Sequence, residues 1–120
     1  MAILNTQHSA RLDYLLQHNQ QHLLVGGLKG IEKESLRISK HGKISQIPHP
    51  YALGAPLTHP HITTDYSEAL LEFITPPFKD ISQTLVFMQN IHQYTYGHLN
   101  DEILLAASMP CGINGDESVA

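Results

Sequence analysis

Residues Gly30 to Ile38 read G-I-E-K-E-S-L-R-I, a run with the side-chain alternation of a β-strand. A strand sends successive side chains to opposite faces, so Glu32, Glu34, Leu36 and Ile38 share one side and Ile31, Lys33, Ser35 and Arg37 the other. Two acids thus extend an apolar face. Carboxylates on one face repel each other and resist losing water, and they stay ionised together only where a cation or a line of basic groups neutralises them. Two readings are open on this run alone. A divalent metal sits between the acids, or the face is buried at its Leu36 end and wet at its Glu32 end, with the acids as ordinary solvated charges.

Downstream, Ile62 to Thr75 reads I-T-T-D-Y-S-E-A-L-L-E-F-I-T and is closed by Pro76-Pro77. Asp65 and Glu68 have the spacing of a helix cap and its capping-box partner, which would give Asp65 a purely structural job. Against that, Leu70, Glu72 and Ile74 alternate with Ala69, Leu71 and Phe73 up to the two prolines, and the alternation favours a strand from about Ala69 to Thr75. Both faces of this strand are apolar except at Glu72, the pattern of a central strand with a carboxylate in its middle.

Upstream, Leu12, Leu15, Leu16 and Leu23 recur at helical spacing and predict an amphipathic helix from Thr6 to about His22, stopped by Gly26-Gly27. His41-Gly42-Lys43 reads as a hairpin turn into a short strand around Ile44 to Ile47, and Pro48, Pro50 and Pro56 make the stretch to Thr58 a loop. Asp80 and Gln83 stand at capping-box spacing ahead of Ile81, Leu85, Met88 and Ile91, a core-packing helix that runs to Gly97. Ile103 to Ala107 is an apolar run too short for a helix, and Gly112 to Ala120 has no hydrophobic period. The order of elements predicts an α+β fold: a partial, largely antiparallel sheet with flanking helices and an edge left to pair.

The chain of 120 residues is the size of one domain or a piece of one, with 42% hydrophobic and 15% charged residues. A net charge of -4 with seven scattered basic residues argues against a nucleic-acid partner. No apolar run reaches the length of a bilayer span, the N-terminus M-A-I-L-N-T-Q-H lacks the regions of a secretory signal, and the lone Cys111 fits a reducing compartment. The expected location is the cytoplasm, with no membrane partner.

Four acids carry the candidate chemistry: Glu32, Glu34, Asp65 and Glu72. Magnesium takes hard oxygen ligands, commonly carboxylates with water and phosphate oxygens, and phosphoryl transfer uses such ions to offset charge on the transferred group. The other candidates are weaker. His59-Pro60-His61 has H-x-H spacing but no complementary cysteines for zinc. Cys111 has no visible feature to lower its pKa and reads as a buried, inert thiol, and Gly26-Gly27 lacks the spacing of a phosphate-cradling loop.

Three segments together, G-I-E-K-E-S-L-R-I, then L-T-H-P-H-I-T-T-D-Y-S-E-A-L-L-E-F-I-T-P from Leu57 to Pro76, then S-M-P-C from Ser108 to Cys111, resemble the proteobacterial glutamate-cysteine ligases in order and nearly in spacing. The resemblance runs from about Leu23 to Cys111. It implies a glutamine synthetase-like fold, with an antiparallel sheet forming a funnel around magnesium ions. It also implies the first step of glutathione synthesis, in which ATP phosphorylates the γ-carboxylate of L-glutamate and the amine of L-cysteine attacks the acyl phosphate. By motif, Glu32 and Glu34 match the family's paired metal-binding glutamates, and Asp65 and Glu72 match further acids of its metal sites. Tyr66 falls where the family often has a phenylalanine lining the pocket for the cysteine side chain, and Cys111 matches no catalytic residue. The chain departs from the family at Leu105-Ala106, where a Trp-Pro pair is common, and in length. The expectation is residues 1-120 as the N-terminal portion of a single catalytic domain, inactive alone. The rival readings are a non-catalytic module for a divalent metal or a γ-glutamyl compound, and a non-functional remnant prone to aggregate.

Overall fold

A computed structural model of the chain describes residues 2–110, 112, 113 and 115, with side chains from residue 8 onward. In chain order the elements are α1 (Ala2–Gln17), β1 (Glu32–Ser39), β2 (Ile62–Thr64), β3 (Leu70–Ile74), α2 (Ile81–Tyr96) and β4 (Glu102–Leu104). The strands form one antiparallel sheet in the order β2-β3-β1-β4, so the fold is the expected α+β. Register pairs Glu32 with Ile74, Glu34 with Glu72 and Leu36 with Leu70 across β1 and β3, and Thr63 with Glu72 across β2 and β3.

Strand alternation then sorts the two faces. Lys33, Ser35 and Arg37 stand with Leu71 and Phe73, and this side packs against α2 to form the core. Leu53, Ile62, Leu71, Phe73, Met88, Ile91, Leu99 and Leu104 make up that core. The expected strand from Ala69 to Thr75 is β3, and it is central, flanked by β2 and β1. The hydrophobic layer, however, lies under the side of β1 opposite Glu32 and Glu34. The acid side is apolar only where Leu36, Leu70 and Ile74 are half-buried and where Ile38 is covered by Ile44.

Helix α2 starts as its sequence predicts, with the Asp80 carboxylate accepting from the Ser82 N–H at 2.9 Å. Its buried stripe is Thr84, Met88, Ile91 and Thr95, whereas Ile81 and Leu85 of the expected stripe are half-exposed. The stripe is shifted because Thr84 is pulled inward: its hydroxyl donates to the Lys29 carbonyl at 3.1 Å, tying the helix to the chain ahead of β1.

Two local expectations change. The strand around Ile44 to Ile47 shrinks to a single bridge between Ile38 and Ile44, because Pro48 has no N–H and the Ile47 carbonyl is drawn to the Arg37 side chain at 2.8 Å. Helix α1 ends at Gln17, well before Gly26-Gly27. Asn19, at φ 54, takes the left-handed position past the helix end, with Gln20 N–H on Leu15 O at 2.8 Å and Asn19 N–H on Leu16 O at 3.2 Å. Those paired bonds satisfy the last carbonyls, and asparagine tolerates that conformation better than most residues. Leu12 and Leu16 on α1 are each 51% exposed and Leu23 beyond it is exposed too, so of the expected stripe Leu15 alone is half-buried.

Candidate functional site

The acid side of the sheet is built by register. Glu34 and Glu72 are direct cross-strand partners, which brings their Cβ atoms to about 5 Å, and Glu32 lies two residues along the same face of β1. Alternation from Thr63 past Thr64 puts Asp65 on this face as well, at the base of the β2–β3 hairpin tip, where its N–H bonds to Leu70 O at 3.1 Å. The four predicted acids therefore gather from two strands and one turn.

The electrostatics agree. The Glu72 carboxyl is raised above its ordinary value, first by burial and then by the negative charges of Glu32, Asp65 and Glu34. The basic side chains of β1 cannot relieve it, since Lys33 and Arg37 stand on the opposite face. Lys33 is occupied there by the Ser35 hydroxyl and is itself pushed down by burial. Among the described residues no three Asp, Glu, His or Cys side chains stand close enough to hold one metal ion. The donor set nonetheless fits a hard divalent cation, being made of carboxylate oxygens alone.

Beside the acids lies a cleft of 290 Å³ lined by Glu34, Leu36, Tyr66, Leu70, Ser108 and Pro110 among others. It brings together the three segments that looked most informative in the sequence. Tyr66 borders this cleft with its side chain 85% exposed. Cys111 lies outside the described residues.

The H-x-H pair serves the backbone. The Nδ1 of His59 accepts from the N–H groups of His61 at 3.1 Å and Ile62 at 2.8 Å, and the Nδ1 of His61 donates to Ile74 O at 3.0 Å. One nitrogen of each ring is thereby committed to shaping the entry to β2.

Sequence reasoning missed the ion pair of Arg37 with Glu102. The guanidinium is fully buried and its Nη1 donates to Glu102 Oε2 at 2.8 Å, with further bonds to the carbonyls of Ile47 at 2.8 Å and Glu68 at 3.1 Å. The available signal was the alternation itself, which put Arg37 on the face of Ser35 between Leu36 and Ile38. Nothing local marked Glu102 as its partner 65 residues away.

The model of the glutamate-cysteine ligase family matches residues 12–120. A glutamate-cysteine ligase of Alcanivorax borkumensis is 52% identical over 109 residues, covering 91% of this chain and 21% of the relative. The solved glutamate-cysteine ligase of Francisella tularensis in complex with AMP superposes with a TM-score of 0.76 at 38% identity, over 79% of this chain and 19% of that one. A bifunctional glutathione synthetase from Pasteurella multocida gives 0.78 at 37% identity, over 88% and 15%. The chain thus spans about a fifth of the length of the curated relatives it matches. No helix among the described residues is long and apolar enough to cross a membrane.

Proposed function

Because the chain belongs to the glutamate-cysteine ligase family, we propose that its acidic sheet face is part of the magnesium-binding wall of an ATP-dependent ligase. That ligase joins L-cysteine to the γ-carboxylate of L-glutamate through a γ-glutamyl phosphate. The observation that carries the reading is the register that sets Glu34 directly opposite Glu72, with Glu32 and Asp65 on the same face; burial, and then the charges of Glu32, Asp65 and Glu34, hold the Glu72 proton more tightly. Glu32, Glu34, Asp65 and Glu72 would hold Mg2+, which when bound offsets the charge of ATP phosphate oxygens and of the transferred phosphoryl group.

The other parts of the face have supporting work. Thr63 stands opposite Glu72 and donates its hydroxyl to Pro56 O at 2.7 Å, which anchors the β2 edge of the site to the proline loop. The cleft beside Tyr66, walled by Leu36, Leu70 and Pro110, has the apolar lining that a cysteine side chain would favour. Residues 1-120 form one portion of a single catalytic domain, working in the cytoplasm, where a chain with one cysteine stays reduced.

Titration calorimetry of the 120-residue chain tests this. Weak Mg2+ binding is expected, and its loss in the Glu32→Gln, Glu34→Gln double variant. Equal binding by both proteins would remove the carboxylate argument. Charge stabilisation in such chemistry requires all its groups in place, so the chain alone is expected to release no phosphate from ATP with glutamate and cysteine.

A further inference from the structure

Arg37 heads the fully buried side chains of the described residues, and its contacts run to β4, the proline loop and the turn that leads into β3. Its Nη1 reaches Glu102 on β4 at 2.8 Å and Pro48 O at 3.5 Å, and its Nη2 reaches Ile47 O at 2.8 Å and Glu68 O at 3.1 Å. Its backbone N–H donates to Ala69 O at 2.8 Å. Glu68 is held a second time, its carboxylate accepting from the His49 N–H at 2.9 Å. One guanidinium therefore clasps β4, the proline loop and the tip of the β2–β3 hairpin.

That tip carries Asp65 and Tyr66. Its own closure rests on Asp65 N–H to Leu70 O at 3.1 Å and Leu70 N–H to Ser67 O at 3.0 Å, and the bonds from Arg37 to Glu68 and Ala69 fasten it to β1. Arg37 lies on the face opposite the acids, so it touches no ligand there. We propose that Arg37 is a positioning residue: by holding the 65–70 turn it sets where the Asp65 carboxylate and the Tyr66 ring stand relative to Glu72 and Glu34. The proposal rests on the acid face being a metal site.

Stability alone does not account for this pair. Arg37 Nε and Glu102 Oε1 are buried without a hydrogen-bond partner, and buried ion pairs can often be replaced by apolar side chains of similar volume with no loss of stability. An apolar side chain cannot donate to the carbonyls of Ile47 and Glu68. A lysine could meet the charge of Glu102 but lacks the planar fork that reaches several acceptors at once.

The test uses the whole 120-residue chain with Mn2+ as the probe, read by electron paramagnetic resonance, alongside amide exchange at Asp65 and Leu70. The Arg37→Met, Glu102→Leu double variant is expected to unfold at the same or a higher urea midpoint. Its Mn2+ affinity should fall by roughly 10- to 100-fold, the usual cost of losing a group that orients metal ligands, and exchange at both amides should speed up. A folded double variant with wild-type Mn2+ affinity and wild-type exchange overturns the proposal. If that variant does not fold, Arg37→Lys decides by the same two readouts. Should the wild type itself take up no Mn2+, the metal reading falls, and unchanged exchange in the variants would still overturn the positioning role.

Discussion

The two faces of this sheet treat charge in opposite ways. On the core face, Arg37 is fully buried and Glu102 nearly so, and each charge is met by its partner, with three carbonyls completing most of the guanidinium's bonds. On the other face, Glu32 and Glu34 are exposed, Glu72 is half-buried, and their strongest mutual influence is repulsion. A buried pair of this kind is costly to break by one member, because the charge left alone costs several kcal/mol, even where an apolar replacement of both would not. Crowded charge of one sign serves no fold, and the proposed magnesium site would give it a purpose.

The largest expected effect breaks the core face. Arg37→Ala leaves Glu102 buried and unpaired and should cost about 3–5 kcal/mol, whereas Glu34→Gln on the other face removes a like-charge cross-strand pair and should shift stability by at most about 1 kcal/mol, towards greater stability. Urea unfolding of the two variants measures the contrast directly. Comparable losses in both would mean that the acid face is structural after all.

Adjacent residues of β3 sharpen the same contrast with apolar side chains. Leu71 is fully buried against Met88 and Ile91, and Leu70, one step along, turns to the half-exposed acid side. Leu71→Ala should therefore cost about 2–5 kcal/mol, and Leu70→Ala well under half of that, since less apolar surface leaves water at Leu70 in the first place. The ratio of the two losses, read from unfolding midpoints, locates the core more firmly than either value.

How much of this was legible beforehand follows the range of the interactions. The Glu32 strand, the Glu72 strand and the Asp80 cap are set by alternation and local hydrogen bonding, and each forms where its residues say. Glu32, Glu34 and Glu72 each lay on a predictable side of a predictable strand, whereas Asp65 stood ahead of the expected strand and was tied to the set by the family resemblance. What could not be read was which side of β1 the core would choose. That choice depends on α2 packing over Leu71 and Phe73, and on a pairing of Arg37 with Glu102 that no local pattern encodes. The end of α1 was mislocated for a smaller reason, since Asn19 closes that helix as glycine more often does.

The smallest expected effect is the most specific to the acid face. The Glu72 carboxyl is raised above 4.5 by burial and by Glu32, Asp65 and Glu34, so the folded chain binds this proton more tightly than the unfolded chain does. The penalty is absent below pH 4.5, where both states are protonated, and grows as pH rises through the raised value until it is complete. Glu72→Gln should then stabilise the chain near neutral pH by a few tenths to about 1 kcal/mol and change nothing below pH 4.5. His49 and His92 act in the opposite sense: burial lowers both, so their contribution is present above 6.5 and lost as pH falls. Both histidines remain in wild type and variant, so they cancel in the difference between the two unfolding curves. A gain that persists unchanged below pH 4.5 would trace to the lost carboxylate's volume or hydrogen bonding, and the electrostatic crowding of this face would no longer explain it.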